Sequence, residues 1–253
     1  MKFSPGLLAS AAFALLGSTS FAAPVLLVGN DIDDVTPGFQ AGVGDAAIVS
    51  RLNALGHTVT AVDDLASLTS DAAGKSLVII SSTVTSGNVL AKYKDVLVPV
   101  INYEPAVYDD MMMTGDVDGT TRGTITGQTQ LSITSLSHPI TAGLTGLQTV
   151  TTAAETFTFG QPTATADILA TPAGDATRAV IFVYEKGDLL FDLSAAADKR
   201  IGFFLNDNVA SVLTPVGGQL FDNTVLYAIP EPGLSSLVTM GFAGLAGLRR
   251  RRG

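Results

Sequence analysis

Short apolar runs recur along the first half of the chain, each broken by a polar turn. Pro24-Val25-Leu26-Leu27-Val28-Gly29 is the first, and Thr58–Val62, Ser76–Thr83 and Val96–Ile101 follow. Continuous apolar runs of this length predict strands buried on both faces, as in a parallel sheet. Between them the period changes. Ile48, Leu52 and Leu55 repeat at helical spacing, which predicts a helix over Ala46–Leu55 with Asp45 as its cap and Gly56 as its stop. Asn88–Asp95 and Ala106–Met113 read as two more helices, the second stopping at Gly115. The order β-α-β-β-α-β-α predicts a doubly wound α/β sheet.

The second half is more strand-like. Thr121–Thr134 alternates and is rich in Thr, which predicts one or two antiparallel strands; Thr149–Phe159 and Ala179–Tyr184 predict others. Arg200-Ile201-Gly202-Phe203-Phe204-Leu205 returns to a buried strand. Thr214-Pro215 then supplies an N-cap and a first-turn proline for a last helix ending near Ala228.

The two ends of the chain have a different character. Lys2 precedes the apolar stretch Leu7–Leu16, too short to span a bilayer, and Ser20-Phe21-Ala22 fits a small-residue cleavage site. This predicts a signal peptide over residues 1–22, read by the secretion machinery, and a mature chain starting at Ala23. At the other end stand Pro230-Glu231-Pro232, the uncharged stretch Gly233–Leu248, and Arg249-Arg250-Arg251-Arg252. As a helix the stretch is roughly 24 Å long, short of the ~30 Å hydrocarbon core; the arginines can reach to the interface and favour a cytoplasmic C-terminus. Motif, apolar helix and arginines in this order resemble the PEP-CTERM sorting signal of exported bacterial proteins. The resemblance implies a membrane-anchored precursor cut near Pro230–Pro232 by an exosortase-type membrane protease, and a final place at the cell surface or outside it. It gives the domain plan 1–22, 23–228 and 229–253.

Composition narrows the function. Removing Lys2, Arg249–Arg252 and Glu231 from the 14 basic and 23 acidic side chains leaves 9 against 22, a net charge of −13. Such a domain is a poor partner for nucleic acid and is compatible with divalent cations and with neutral or basic partners. The chain has no cysteine, which excludes disulfides, thiolate metal sites and a thiol nucleophile. Trp is absent too, which weakens the case for a carbohydrate-stacking platform.

A second resemblance covers most of residues 24–228. A helix ending in Leu55-Gly56-His57, then His138-Pro139-Ile140 with Gly143-Leu144, then Arg200-Ile201-Gly202-Phe203, then a closing helix from Leu213-Thr214 to Ala228 occur in order. Together they resemble the class I glutamine-amidotransferase-like fold, in particular its trehalose-utilisation (ThuA-like) branch. The resemblance implies a flavodoxin-like sheet with its site at the carboxyl ends of the strands. Amidotransferases of this fold carry a Cys on a sharp strand-to-helix turn. The comparable turn here is Asn102-Tyr103-Glu104-Pro105, so glutamine amidotransfer is excluded on chemistry, and no Gly-x-Ser-x-Gly elbow replaces it.

The strand edge would gather the candidate binding residues Asp31, Ser82, Asn102, Glu104, His138, Asn206 and Asp207. Glu104 and His138 are the catalytic candidates. Asp31 and Asp33 are candidate ligands for a divalent cation, although Asp31-x-Asp33-Asp34 lacks the spacing of an EF-hand loop. No other cofactor is expected. His57 falls in the helix-to-strand turn, where a surface position is expected. Two functions remain open. One is a non-catalytic exported module binding a glycan such as an extracellular polysaccharide, a cation or a protein. The other is a carbohydrate-active hydrolase or isomerase using Glu104 with His138 or a divalent ion; it requires Glu104, His138 and Asn206 to converge.

Overall fold

The computed structural model describes residues 22–33 and 38–229. Strand β1 (Pro24–Gly29) is buried on both faces from Val25 onward, as its unbroken apolar run requires. Val25 and Leu27 join one hydrophobic core, Leu26 and Val28 the other. Strands β2 (Thr58–Asp63) and β3 (Leu77–Ile80) flank it in parallel, and β4 (Val100–Asn102) pairs with β3.

The second half adds β5 (Arg122–Gln128), β6 (Gln130–Ile133), β7 (Gly146–Thr149), β8 (Glu155–Gly160), β9 (Asp167–Pro172), β10 (Ile181–Tyr184) and β11 (Arg200–Gly202). The main sheet has nine strands in the order β2-β1-β3-β4-β11-β10-β9-β6-β7. The first five are parallel and form the flavodoxin-like half; the other four are added antiparallel. Strands β5 and β8 form a separate antiparallel pair. Thr121–Thr134 therefore supplies two strands, but they enter different sheets. β9 has no counterpart in the sequence pattern.

One face of the sheet is covered by α1 (Val43–Ala54) and α3 (Pro215–Ala228). Ile48 and Leu52 of α1 and Leu220, Phe221, Val225 and Ala228 of α3 share one core with Ile101 of β4 and with Phe203, just after β11. Burying one such side chain contributes about 2 kcal/mol. α1 stops where Gly56 takes φ 87°. Thr214 caps α3 as its sequence implies, its Oγ1 accepting from Gly217 N at 3.1 Å. Arg51 of α1 and Asp222 of α3 join the two helices through a bidentate pair at 2.6 and 2.8 Å.

The other face departs from expectation. The helix expected over Asn88–Asp95 shrinks to α2 (Ser86–Val89), and that over Ala106–Met113 to a 3-10 turn at Pro105–Val107. Residues 90–99 are irregular, yet they lie under the sheet. Their carbonyls are met by Arg200, whose side chain is fully buried. Its guanidinium donates to Lys94 O at 3.1 and 2.7 Å, to Val96 O at 2.6 Å, to Val98 O at 3.1 Å and to Lys199 O at 2.9 Å. A helix would have satisfied such carbonyls internally; here one side chain does so.

Among the described residues, no helix is long and apolar enough to cross a membrane. The expected signal peptide before Ala22, the Pro230–Pro232 motif, the apolar stretch and Arg249–Arg252 all lie outside the described residues.

Candidate functional site

The carboxyl ends of β1, β3, β4 and β11 meet the amino end of α1 and the loop after β11. Glu104 stands just after β4. It is the N-cap of the Pro105–Val107 turn: its Oε1 accepts from Ala106 N at 2.8 Å, and its own N–H donates to Asn102 Oδ1 at 2.9 Å. Burial, reinforced by the nearby Asp207 charge, raises the Glu104 carboxyl to about 7 against the cap bond and Arg122, which act to lower it. Asn102 is fully buried and orients this turn.

The structure corrects the expectation that Asp45 caps α1. Gly42 is the cap residue, and Asp45 lies inside the first turn, 1% exposed. Its carboxylate accepts from Ser81 Oγ at 2.6 Å and from Thr83 Oγ1 at 2.8 Å. Burial holds its pKa above the usual range despite those two bonds. The Tyr103 hydroxyl is buried beside Ser81 and Asp45 without a hydrogen bond of good geometry. Gly29 is required here, since a Cβ on it would sit 2.9 Å from Asp45 Oδ2.

Asp207 completes the edge. Its backbone N donates to Ser82 Oγ at 2.5 Å, and its φ of 27° falls in the left-handed region, which Asp tolerates better than most residues. Its carbonyl presses on α1, where a Cβ on Gly44 would lie 1.8 Å from Asp207 O. Gly44→Ala is therefore expected to cost about 2 kcal/mol by overpacking. Hydrogen exchange should quicken at residues 206–208 in that variant; unchanged exchange and melting would show that the contact is not needed.

The residues predicted from sequence divide into three groups. Ser82, Asn102, Glu104, Asn206 and Asp207 come together at this edge. Asp31 lies on the neighbouring β1 loop and serves the backbone: its Oδ1 accepts from Asp33 N and Gln40 N, both at 3.0 Å, while its own N–H donates to Asp63 Oδ2. Among the described residues no group of three or more His, Cys, Asp or Glu side chains is placed to hold a metal ion.

His138 is a correction. It packs against the Tyr227 ring at 4.5 Å, beside Glu185 and Lys199. Lys199 precedes β11 and Glu185 follows β10, so His138 lies toward the amino-terminal edge of the parallel strands, opposite Glu104. The convergence of Glu104, His138 and Asn206 does not occur. His57 is also corrected: it is buried, 6% exposed, and its Nδ1 accepts from Ala23 N at 3.4 Å. Burial holds both imidazoles below their ordinary pKa.

Sequence reasoning missed Tyr103 and Arg122. Arg122 pairs with Asp109 at 2.7 Å and Asp116 at 2.8 Å, and its charge acts on Glu104. The run of Asp109, Asp110, Asp116 and Asp118 before a lone arginine was the available signal. Chemically, the edge offers carboxylates, hydroxyls and an amide. Ser82 has no imidazole to activate it, since both histidines lie elsewhere.

No family model and no curated protein matches the chain. Solved structures resemble it. A ThuA-like protein from Bacteroides uniformis is 7% identical with a TM-score of 0.51, over 85% of this chain and 94% of that one. A protein from Thermoplasma acidophilum described as a GMP synthase subunit is 13% identical with a TM-score of 0.47, over 81% of this chain and 94% of that one. The first similarity shows a ThuA/glutamine-amidotransferase-like fold.

Proposed function

We propose that this chain is an exported protein whose α/β domain is a non-catalytic binding module for an extracellular glycan, held at the Glu104 edge. One observation carries the reading. The turn after β4 presents Glu104 tied to its own backbone cap, and both imidazoles of the chain, the ordinary activators of a hydroxyl, lie elsewhere. Carboxylates and hydroxyls at the same edge suit sugar hydroxyls, which both donate and accept. A divalent cation is the alternative ligand for these oxygens. The position of Glu104's titration near 7 favours a second reading, a hydrolase or isomerase with Glu104 as general acid or base. Purified protein would be screened against glycans, divalent ions and glycoside or ester substrates. Glu104→Ala should weaken ligand binding with the fold intact; robust turnover lost in that variant would replace the binding reading with the enzymatic one.

Export and sorting belong to the same proposal and are supported by the order of features at the two chain ends. Secretion machinery would release a chain beginning at Ala23, and an exosortase-type protease would cut near Pro230–Pro232. Glu231→Ala should leave uncleaved precursor in the membrane. Normal processing of that variant would count against the sorting reading.

A further inference from the structure

Both ends of the described chain leave the fold at one edge. Pro24, Thr58, Leu77, Val100 and Arg200 begin the five parallel strands, and their registers place them along the amino-terminal edge of the sheet. Ala22 leads into that edge. α3 runs back to it, since Lys199, just before β11, donates from Nζ to Tyr227 O at 2.6 Å in the last turn of α3. Ile229 therefore leaves beside Lys199, and the Glu104 site lies at the opposite edge.

From this geometry we infer that the amino-terminal edge of the sheet is a membrane-facing surface: in the anchored precursor it rests on the lipid headgroups, and the Glu104 edge points away. The inference rests on the anchoring reading of the tail. Tether length supports it. Ile229 to Gly233 can span at most about 14 Å fully extended. A domain of this size has a radius of gyration of roughly 17 Å, so the tether is shorter than the body it holds and cannot let it turn over.

Charge differs between the two edges only in degree. Asp31, Asp63, Asp64 and Asp207 crowd the far edge, where an anionic membrane would repel them. The amino-terminal edge carries Lys75, Lys94, Lys186 and Lys199 among the carboxylates of Asp95, Asp167, Glu185, Asp188, Asp192 and Asp198. Carboxylates there are partly neutralised: Lys94 pairs with Asp192 at 3.2 Å and Asp95 at 3.5 Å, and Lys186 with Asp198 at 4.0 Å. Exposed leucines complete the surface. Leu97 precedes β4, Leu189 accepts through its carbonyl from Thr165 just before β9, and Leu226 is in the last turns of α3. Leucine beside lysine suits the boundary between acyl chains and headgroups.

The absence of native cysteine makes the test direct. Leu97→Cys and Leu65→Cys place single thiols on side chains of similar exposure, 78% and 75%, at the amino-terminal and carboxyl edges respectively. Each full-length precursor, held in membranes, would be labelled with a bulky, membrane-impermeant maleimide and compared with its detergent-released form. The Leu97 thiol should label several-fold more slowly in the membrane and recover on release, whereas the Leu65 thiol should label alike in both. Equal labelling of both thiols in membrane-held precursor overturns the inference and leaves the anchoring reading standing. Protection of Leu97 that follows protein concentration and persists after release indicates contact between copies and overturns it too. Precursor found free of the membrane overturns the anchoring reading, and this inference with it.

Discussion

Replacing Arg200 by Met is expected to cost about 3–5 kcal/mol, because several buried carbonyls lose their donors together. The guanidinium is fully buried and bonds to the backbone of residues 94–98 and 199. Burial lowers its pKa to about 10, so it stays charged at neutral pH. Met fills similar space but donates nothing, so the irregular segment beneath the sheet would have to rearrange or admit water. In a domain of this size the melting temperature should fall by roughly 10 °C. Arg200→Lys should recover little, since an ammonium cannot spread its donors across a planar fork. Lys186→Met, at a side chain 70% exposed, is the control and should change stability by less than about 0.5 kcal/mol. A melting temperature for Arg200→Met within error of that control would show that the fork is dispensable.

Glu104→Gln should stabilise the protein at neutral pH and do nothing in acid. The folded chain holds the Glu104 proton up to about 7, against 4.5 for an unperturbed carboxyl. The folded state therefore binds more protons across that interval, and stability falls as pH rises from about 4.5 to about 7, then levels off. Allowing for partial exposure, the loss is roughly 2–3 kcal/mol. Gln keeps the oxygen that caps Ala106 and removes the titration. At pH 8 the variant should melt roughly 5 °C or more above the parent, and at pH 4 the two curves should coincide. Asp45, His57 and His138 titrate in both proteins and cancel in the difference. A gap of equal size at both pH values, or no gap at pH 8, would defeat this account of Glu104.

Much of the first half is legible because its signals are local. A continuous apolar run such as Val25–Val28 must be buried on both faces whatever surrounds it, and Gly56 or Thr214-Pro215 end or begin a helix by their own backbone preferences. Asn88–Asp95 and Ala106–Met113 depart from their sequence pattern for the converse reason. Their helical pattern is weak, and tertiary contacts offer an alternative partner for their backbone, Arg200 in the first case. β9 escapes because one of its neighbours lies far away in sequence: Ile133 of β6 pairs with Ala170.

The site shows the same division. Composition and local pattern alone establish that no thiol chemistry is available, that Glu104 occupies the turn after β4, and that Ser82, Asn102, Asn206 and Asp207 stand at or just after strand ends. These follow from composition and from local strand and turn patterns. Chain packing sets the rest: His138 lies away from Glu104, Asp45 is a buried acceptor for Ser81 and Thr83, and Arg200 holds the segment under the sheet. Each depends on which distant segments are brought within hydrogen-bond reach, and on how much water is excluded between them. Neither quantity is written in the spacing of residues along one chain.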